Sequence, residues 1–253
     1  IPRPPNQEVD TLALLPTEKR KPKQRLEDYS ILLYGQPKIG KSTFCSQMDN
    51  PLFLATEPGL NALEVYEVQI PDWKTFLQVC AEIAQGGHPF KTIVIDTVDN
   101  LWKACAEHFR EKLDIVHESD LPYGKAYMLI RDEFLRVLRK MSLLPYGLIL
   151  TSHVEVEEIK TRTQTINKAV PSIPKSGRTT VLGWVDMILY ATMETTEDGE
   201  EIRVIRTKPS ENWEAGDRTK RLPATVPLDF EEFKRAFYGH HNNVVDLNQA
   251  KSN

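Results

Sequence analysis

The chain has 253 residues, 40% hydrophobic and 27% charged, with a formal net charge of −4. That size suits one α/β domain with added elements, or two small ones, and with no run of eighteen apolar residues the sequence offers no membrane-spanning helix. The acidic balance excludes a uniformly basic nucleic-acid binder while permitting a local basic groove. Three scattered cysteines, Cys45, Cys80 and Cys105, form no C-x-x-C and read as reduced core residues of a cytoplasmic protein. The polar, proline-rich start IPRPPNQEVD is not a secretory signal.

Residues 1–28 read as an N-terminal arm or linker. Its one apolar patch, 9–15, is a candidate contact with a neighbouring subunit, and 17–25 carries five positive charges against one negative. Such a charge run also suits a solvated linker. A core is expected over 29–227. Residues 30–34 (SILLY) form a buried strand, and a helix starts at Lys41. Strands follow at 51–56 and 65–68. A helix is expected over 72–85, with Asp72 as N-cap, Phe76, Val79, Cys80 and Ile83 on one face, and Gly86-Gly87 ending it. Next come a strand at 91–96, a helix at 99–116, and a helix at 125–141 burying Met128, Leu129, Phe134, Leu135 and Leu138. A strand at 147–153 leads into a long basic loop or hairpin within 154–180. An antiparallel pair at 183–192 and 201–207 turns at Glu197-Asp-Gly199, and 228–253 reads as a short C-terminal helix and tail. Strands alternating with helices imply an α/β fold, a mostly parallel central sheet with helices on both faces.

The stretch from Gly35 to Thr43, GQPKIGKST, carries the strongest chemical signal. Gly35-x-x-x-x-Gly40-Lys41-Ser42 satisfies every fixed position of a phosphate-binding loop. Glycine torsions let the loop curl around a phosphate, so that the N–H groups of Gly35, Gln36, Pro37, Lys38, Ile39, Gly40, Lys41, Ser42 and Thr43, proline excepted, are candidates to form the anion nest. Lys41 supplies a point charge to the β/γ-phosphates and Ser42 a hydroxyl for Mg²⁺. The strand TIVID ends in Asp96, a second candidate Mg²⁺ ligand; a carboxylate there also suits a helix cap. Glu57, at the tip of the second strand, is placed to polarise a water, with Asp99 as a competitor. His153 ends LILTSH as a candidate γ-phosphate sensor, with Thr151 and Ser152 on the same tip. From 159 to 180 there are five cations and no acid: Lys160, Arg162, Lys168, Lys175 and Arg178 are candidates to line a phosphate backbone, although a solvated loop has the same composition. Arg206 and Lys208 close a strand as candidate cross-subunit fingers, or as charges blunting a sheet edge.

The order of these features resembles RecA-like P-loop ATPases. TEPG after the second strand, LILTSHVEVEE, GWVDMILYA and RTKPSENWEAGDR resemble one branch, the phage-encoded AAA-type proteins linked to single-strand DNA annealing and recombination. The resemblance spans residues 29–222. It implies ATP and Mg²⁺ as cofactors, Glu57 as water activator, His153 as sensor, Arg206 and Lys208 as fingers acting in trans, and 154–180 as a DNA loop. It further implies assembly as a homo-oligomer on single-stranded DNA with ATP at subunit interfaces, with a single-strand DNA-binding protein as a candidate partner. The chain is shorter than bacterial RecA and has His where RecA has Gln, which favours annealing over strand exchange. Two other classes share the phosphate loop: a nucleotide or small-molecule kinase, and a non-hydrolysing switch resembling a helicase loader.

Overall fold

A computed structural model describes residues 18–160 and 164–239. Among them, β1 (Ser30–Gly35), β2 (Pro51–Ala55), β3 (Tyr66–Gln69), β4 (Thr92–Asp96), β5 (Gly147–Lys160) and β7 (Met187–Thr195) form a parallel array in the order β7-β1-β5-β4-β2-β3. β8 (Glu201–Arg206) and β10 (Thr225–Pro227) extend it antiparallel beyond β7, as the expected strand pair requires. β6 (Thr165–Pro171) pairs antiparallel with the far half of β5, and the short β9 (Gly216–Asp217) pairs with β7.

Helices cover both faces, so the central strands read as continuous apolar runs; β1 is buried along its whole length. Alternate residues face opposite ways. Leu32, Leu54, Ile95 and Leu150 pack beneath α2 (Trp73–Gln85), α3 (Val98–Leu113), α4 (Lys125–Ser142) and α5 (Lys175–Trp184). Leu33, Phe53, Val94 and Ile149 pack beneath α1 (Lys41–Cys45) and α6 (Phe230–Gly239). Phe44 of α1 meets Phe230 and Phe233 edge-on at 5.5 and 5.3 Å, so the C-terminal helix is part of the core. Leu26 is also buried there, although it falls within the stretch expected to be an arm. The apolar patch 9–15 lies outside the described residues.

Four expectations change. In α4 the buried positions are Ala126, Ile130, Phe134, Val137, Leu138 and Met141, whereas Met128 and Leu129 are exposed. The 3.6-residue period admits one stripe, and the packing of Phe134 against Trp73 and Trp102 fixes its phase. α3 stops at Leu113, where Asp114 takes a left-handed φ of 52°, and not at residue 116. Of the loop or hairpin expected within 154–180 the hairpin forms, as β5 runs on to Lys160 and β6 returns, but it is followed by a helix not expected there, α5, which begins at Lys175. Residues 183–184 therefore end a helix and do not open a strand. Near the start of that helix Gly177 packs closely on the Trp102 ring, where an added Cβ would come within 2.4 Å.

The parallel strands bring their carboxyl ends to one rim, the usual ligand crevice of such sheets. In register, Gly35 stands beside His153 and Ala191, and Ala55 beside Asp96. Gly35 is held so closely to β7 that an added Cβ would lie 2.4 Å from the Ala191 carbonyl oxygen. Gly35→Ala is expected to destabilise the fold by about 1–3 kcal/mol, as overpacking does, and to displace the loop that follows. Urea unfolding of the two proteins side by side measures the first effect.

Candidate functional site

The loop from Gln36 to Gly40 bends through two left-handed residues, Lys38 at φ 64° and Gly40 at φ 116°, before α1 starts at Lys41. Gln36, Pro37, Lys38 and Thr43 are exposed, whereas Ile39 is packed into the core. The Lys41 ammonium is buried beneath the loop and donates to the carbonyls of Gly35 and Gln36, each at 3.0 Å. Burial lowers its pKa, and the carboxylates of Asp96, Asp99 and Glu57 oppose that shift. A buried cation is thus aimed at a loop of backbone N–H groups, with three acids around it.

Asp96 is buried at the end of β4. The Ser42 hydroxyl donates to its Oδ2 at 2.7 Å, and the Thr151 hydroxyl on β5 donates to its Oδ1. A hydroxyl and a carboxylate so placed fit Mg²⁺, a hard cation that takes oxygen ligands and keeps several waters. When bound it would neutralise charge on phosphate oxygens.

A second set of acids lies one strand over. Glu57 Oε2 accepts from Asn100 Nδ2 at 2.7 Å, and Glu57 Oε1 is 3.6 Å from His153 Nε2. On the other side of that ring, His153 Nδ1 is 2.7 Å from Asp99 Oδ2, while the His153 backbone N–H donates to Asp99 Oδ1 at 3.3 Å. Asp99 is buried with both oxygens engaged by His153, so it orients the imidazole and is not free to activate water. Glu57, half-exposed and held from two sides, is free to do so. Thr56, just before it, ties the β2 tip to the β4 tip by accepting from the Thr97 N–H at 2.8 Å. Lys41, Ser42, Asp96, Glu57 and His153 therefore converge on one rim.

The family of this domain follows from a match to an AAA domain over residues 27–219, most of the chain. The chain belongs to the AAA domain family. It is also 30% identical over 100 residues to the SPbeta prophage-derived uncharacterized protein YorG of Bacillus subtilis strain 168, a stretch covering 38% of this chain and 31% of YorG. Among solved structures, the flagellar accessory protein FlaH of Methanocaldococcus jannaschii aligns with a TM-score of 0.41 and 11% identity, over 71% of this chain and 77% of FlaH. The KaiC-like protein PH0186 of Pyrococcus horikoshii OT3 aligns with a TM-score of 0.43 and 12% identity, over 79% and 85%.

The remaining candidate residues of this AAA domain are distributed differently. Because β8 runs antiparallel, Arg203, opposite Met193, stands on the phosphate-loop rim and donates to the Ile39 carbonyl at 3.3 Å. Arg206, opposite Tyr190, lies on the other face: it pairs with Glu194 at 3.1 Å, donates to the Thr225 hydroxyl at 2.7 Å and covers the Trp213 ring at 5.2 Å. Lys208 lies 3.8 Å from Asp217. Neither Arg206 nor Lys208 meets the phosphate loop of its own chain. Arg203 was the basic residue missed from sequence, and alternation outward from buried Ile205 was the signal that places it on the α1 face. Asn100 was missed as well; it lies four residues past Asp96, in the first turn of α3.

Of the five cations proposed to meet DNA, Arg178 is corrected outright. It is buried, and its guanidinium is held by Glu155 at 2.7 Å, by Glu157, and by the Pro171 carbonyl at 3.0 Å. The acids come from β5, just upstream of the window counted as free of acids. Lys168 pairs with Glu214 at 2.9 Å and Lys160 with Glu158 at 3.1 Å. Lys175 is exposed at the start of α5, and Arg162 lies outside the described residues. Arg178→Ala would leave two carboxylates and a carbonyl at the hairpin root without their donor. It is expected to destabilise the fold by about 1–3 kcal/mol, with thermal unfolding as the measurement, and to leave the phosphate loop intact.

Proposed function

We propose that this AAA domain is an ATPase whose hydrolytic site is coupled through β5 to a nucleic-acid-binding hairpin, and that its ligand there is single-stranded DNA. One observation carries the reading. β5 is a single 14-residue strand that supplies Thr151 to Asp96 and His153 to Glu57, and then continues without interruption into the hairpin with β6. Movement of the distal strand is therefore felt at the residue that faces the candidate base.

In this reading Lys41 and the loop N–H groups hold the β/γ-phosphates, and Ser42 and Asp96 hold Mg²⁺. Glu57 accepts a proton from a water directed at the terminal phosphorus, a role usually worth 10²–10⁴ in rate. Asn100 and His153 fix the direction of its carboxylate, and ADP and phosphate leave. Lys160, Arg162 and Lys168 meet the DNA backbone, and Lys160 gives up its exposed pair with Glu158, a weak one of the kind a surface exchanges readily. Arg206 and Lys208 reach the phosphates of an adjacent copy in a homo-oligomer, since they face away from their own loop. The prophage origin of YorG supports a role in phage DNA annealing or recombination.

The test is ATP turnover with and without single-stranded DNA. Turnover is expected to rise with DNA, to disappear in Lys41→Ala, and to fall by about 10²–10⁴ in Glu57→Gln with ATP still bound. Turnover that requires a small-molecule acceptor would mark a kinase instead, and none under any condition would mark a non-hydrolysing switch. Neutralising Lys160, Arg162 and Lys168 together is expected to reduce the salt slope of DNA binding by roughly two, at about 0.7 per single-strand phosphate contact. An unchanged slope would move the DNA site off the hairpin.

The interface reading has its own check. Arg206→Ala and Lys41→Ala chains are each expected to be inactive alone, and their mixture to regain part of the turnover, because some interfaces then join an intact loop to intact fingers. A rate per chain independent of protein concentration, with no recovery on mixing, would exclude fingers acting in trans.

A further inference from the structure

On the side of the molecule away from the phosphate loop's helix, α2 and α4 leave an apolar trough. Its floor is Leu77, Ala81 and Ala84 from α2 with Val137, Met141 and Leu144 around the end of α4, and its wall is almost wholly apolar, enclosing about 260 Å³. Past Arg136 and Lys140, which belong to both hollows, it opens into a broader hollow of about 820 Å³ between α4 and α5, bounded by Leu135, Leu143 and Trp184. Leu143 is 78% exposed, an unusual condition for a leucine beside other apolar groups. Two cations stand on the rim, Arg139 and Lys140; neither makes an ion pair among the described residues, whereas their neighbour Arg136 pairs with Glu133 at 2.7 Å.

The chain itself supplies a segment of matching chemistry. A third hollow, of about 730 Å³, is bounded by Arg20, Lys21, Pro22 and Lys23 on one side and by Leu143 and Leu144 on the other. Those two leucines are the ones shared with the apolar hollows, so the chain passes the mouth of the trough at Arg20, and the sequence that precedes the described residues lies a short way upstream. In that preceding sequence Val9-Asp-Thr-Leu-Ala-Leu-Leu15 contains four Val or Leu among seven residues, and between residues 4 and 17 the only charges are Glu8 and Asp10, both acidic. Four residues separate Leu15 from Arg20, a reach of about 17 Å over the five steps when extended. Apolar side chains meet an apolar floor, acids meet unpaired cations, and the connection is short.

We propose that residues 8–15 of the same chain dock in the α2–α4 trough, with Glu8 and Asp10 toward Arg139 and Lys140. The arm is then a strap over the helical face opposite the α1 layer, and it covers the exposed leucine. The proposal is independent of the ATPase reading.

Cross-linking in the full-length chain tests it. Cys45 and Cys105 are buried and Cys80, which lines the trough, is removed by Cys80→Ala throughout, so a Leu12→Cys, Ala84→Cys pair reports proximity under mild oxidation; Ala84 is exposed and tolerates the change. An intrachain disulfide, seen as a monomer of altered mobility and as linked peptides by mass, is expected on the order of tenfold faster than in a Leu12→Cys, Glu231→Cys control on α6, because docking raises the local concentration of the two thiols. Adding Arg139→Glu and Lys140→Glu is expected to bring the rate down to the control, and further adding Glu8→Lys and Asp10→Lys to restore it. Linking at the control rate, or indifference to charge reversal, would overturn the proposal. Linking only between chains, when single-cysteine proteins are mixed, would overturn it in favour of the arm of a second copy.

Discussion

The pairing of β1 with β5 sets the geometry on which the site depends. Parallel register puts Gly35, the last residue before the phosphate loop, level with His153, and Leu33 level with Thr151. The loop, the carboxylate held by Thr151 and the imidazole facing Glu57 thus share one rim with no loop adjustment between them. A shift of that pairing by one residue would turn Thr151 away from Asp96, because strand side chains alternate faces. The register is held from both faces, since Leu32 and Leu150 pack into one helical layer and Leu33 and Ile149 into the other.

Around that pairing, the charges are organised by burial. Lys41 is enclosed with acids at a distance that favours its charged form while burial disfavours it. Asp96 and Asp99 are equally enclosed, but each has its oxygens claimed by donors: Asp96 by two hydroxyls, Asp99 by an imidazole and a backbone N–H. Glu57 alone among the site acids remains open to solvent on one side. Similar side chains therefore sit in different environments, set by solvation and hydrogen bonding.

Much of this was legible in the residues. The phosphate loop declares itself through glycine spacing, and the buried strands through apolar runs ending in a polar tip, so Lys41, Ser42, Asp96, Glu57 and His153 fall where their positions in strand and loop imply. What the sequence hid was pairing across strands. The cations from 159 to 180 look unopposed only while the glutamates at 155, 157 and 158 are counted elsewhere; the fold sets Glu155 and Glu157 against Arg178, and Glu158 beside Lys160. Arg203 and Arg206 look like neighbours of one kind until the strand's direction sends one to the phosphate loop and the other to Trp213. Met128 and Leu129 are as apolar as their buried neighbours, and only the aromatic contacts of Phe134 decide which stripe turns inward.

Tyr34, the residue before Gly35, has a further consequence. Its phenol is enclosed, which pushes its pKa well up and keeps the proton in place. The hydroxyl donates toward the carbonyls of Glu214 at 2.6 Å and Ala169 at 3.1 Å, and accepts from the Glu214 N–H at 3.1 Å. One phenol thus pins the base of the β5–β6 hairpin and the 212–217 segment to the strand that carries the phosphate loop. The root of the hairpin and the 212–217 segment are thereby tied to β1 one residue before Gly35, so the phosphate loop and the hairpin share a single anchoring side chain.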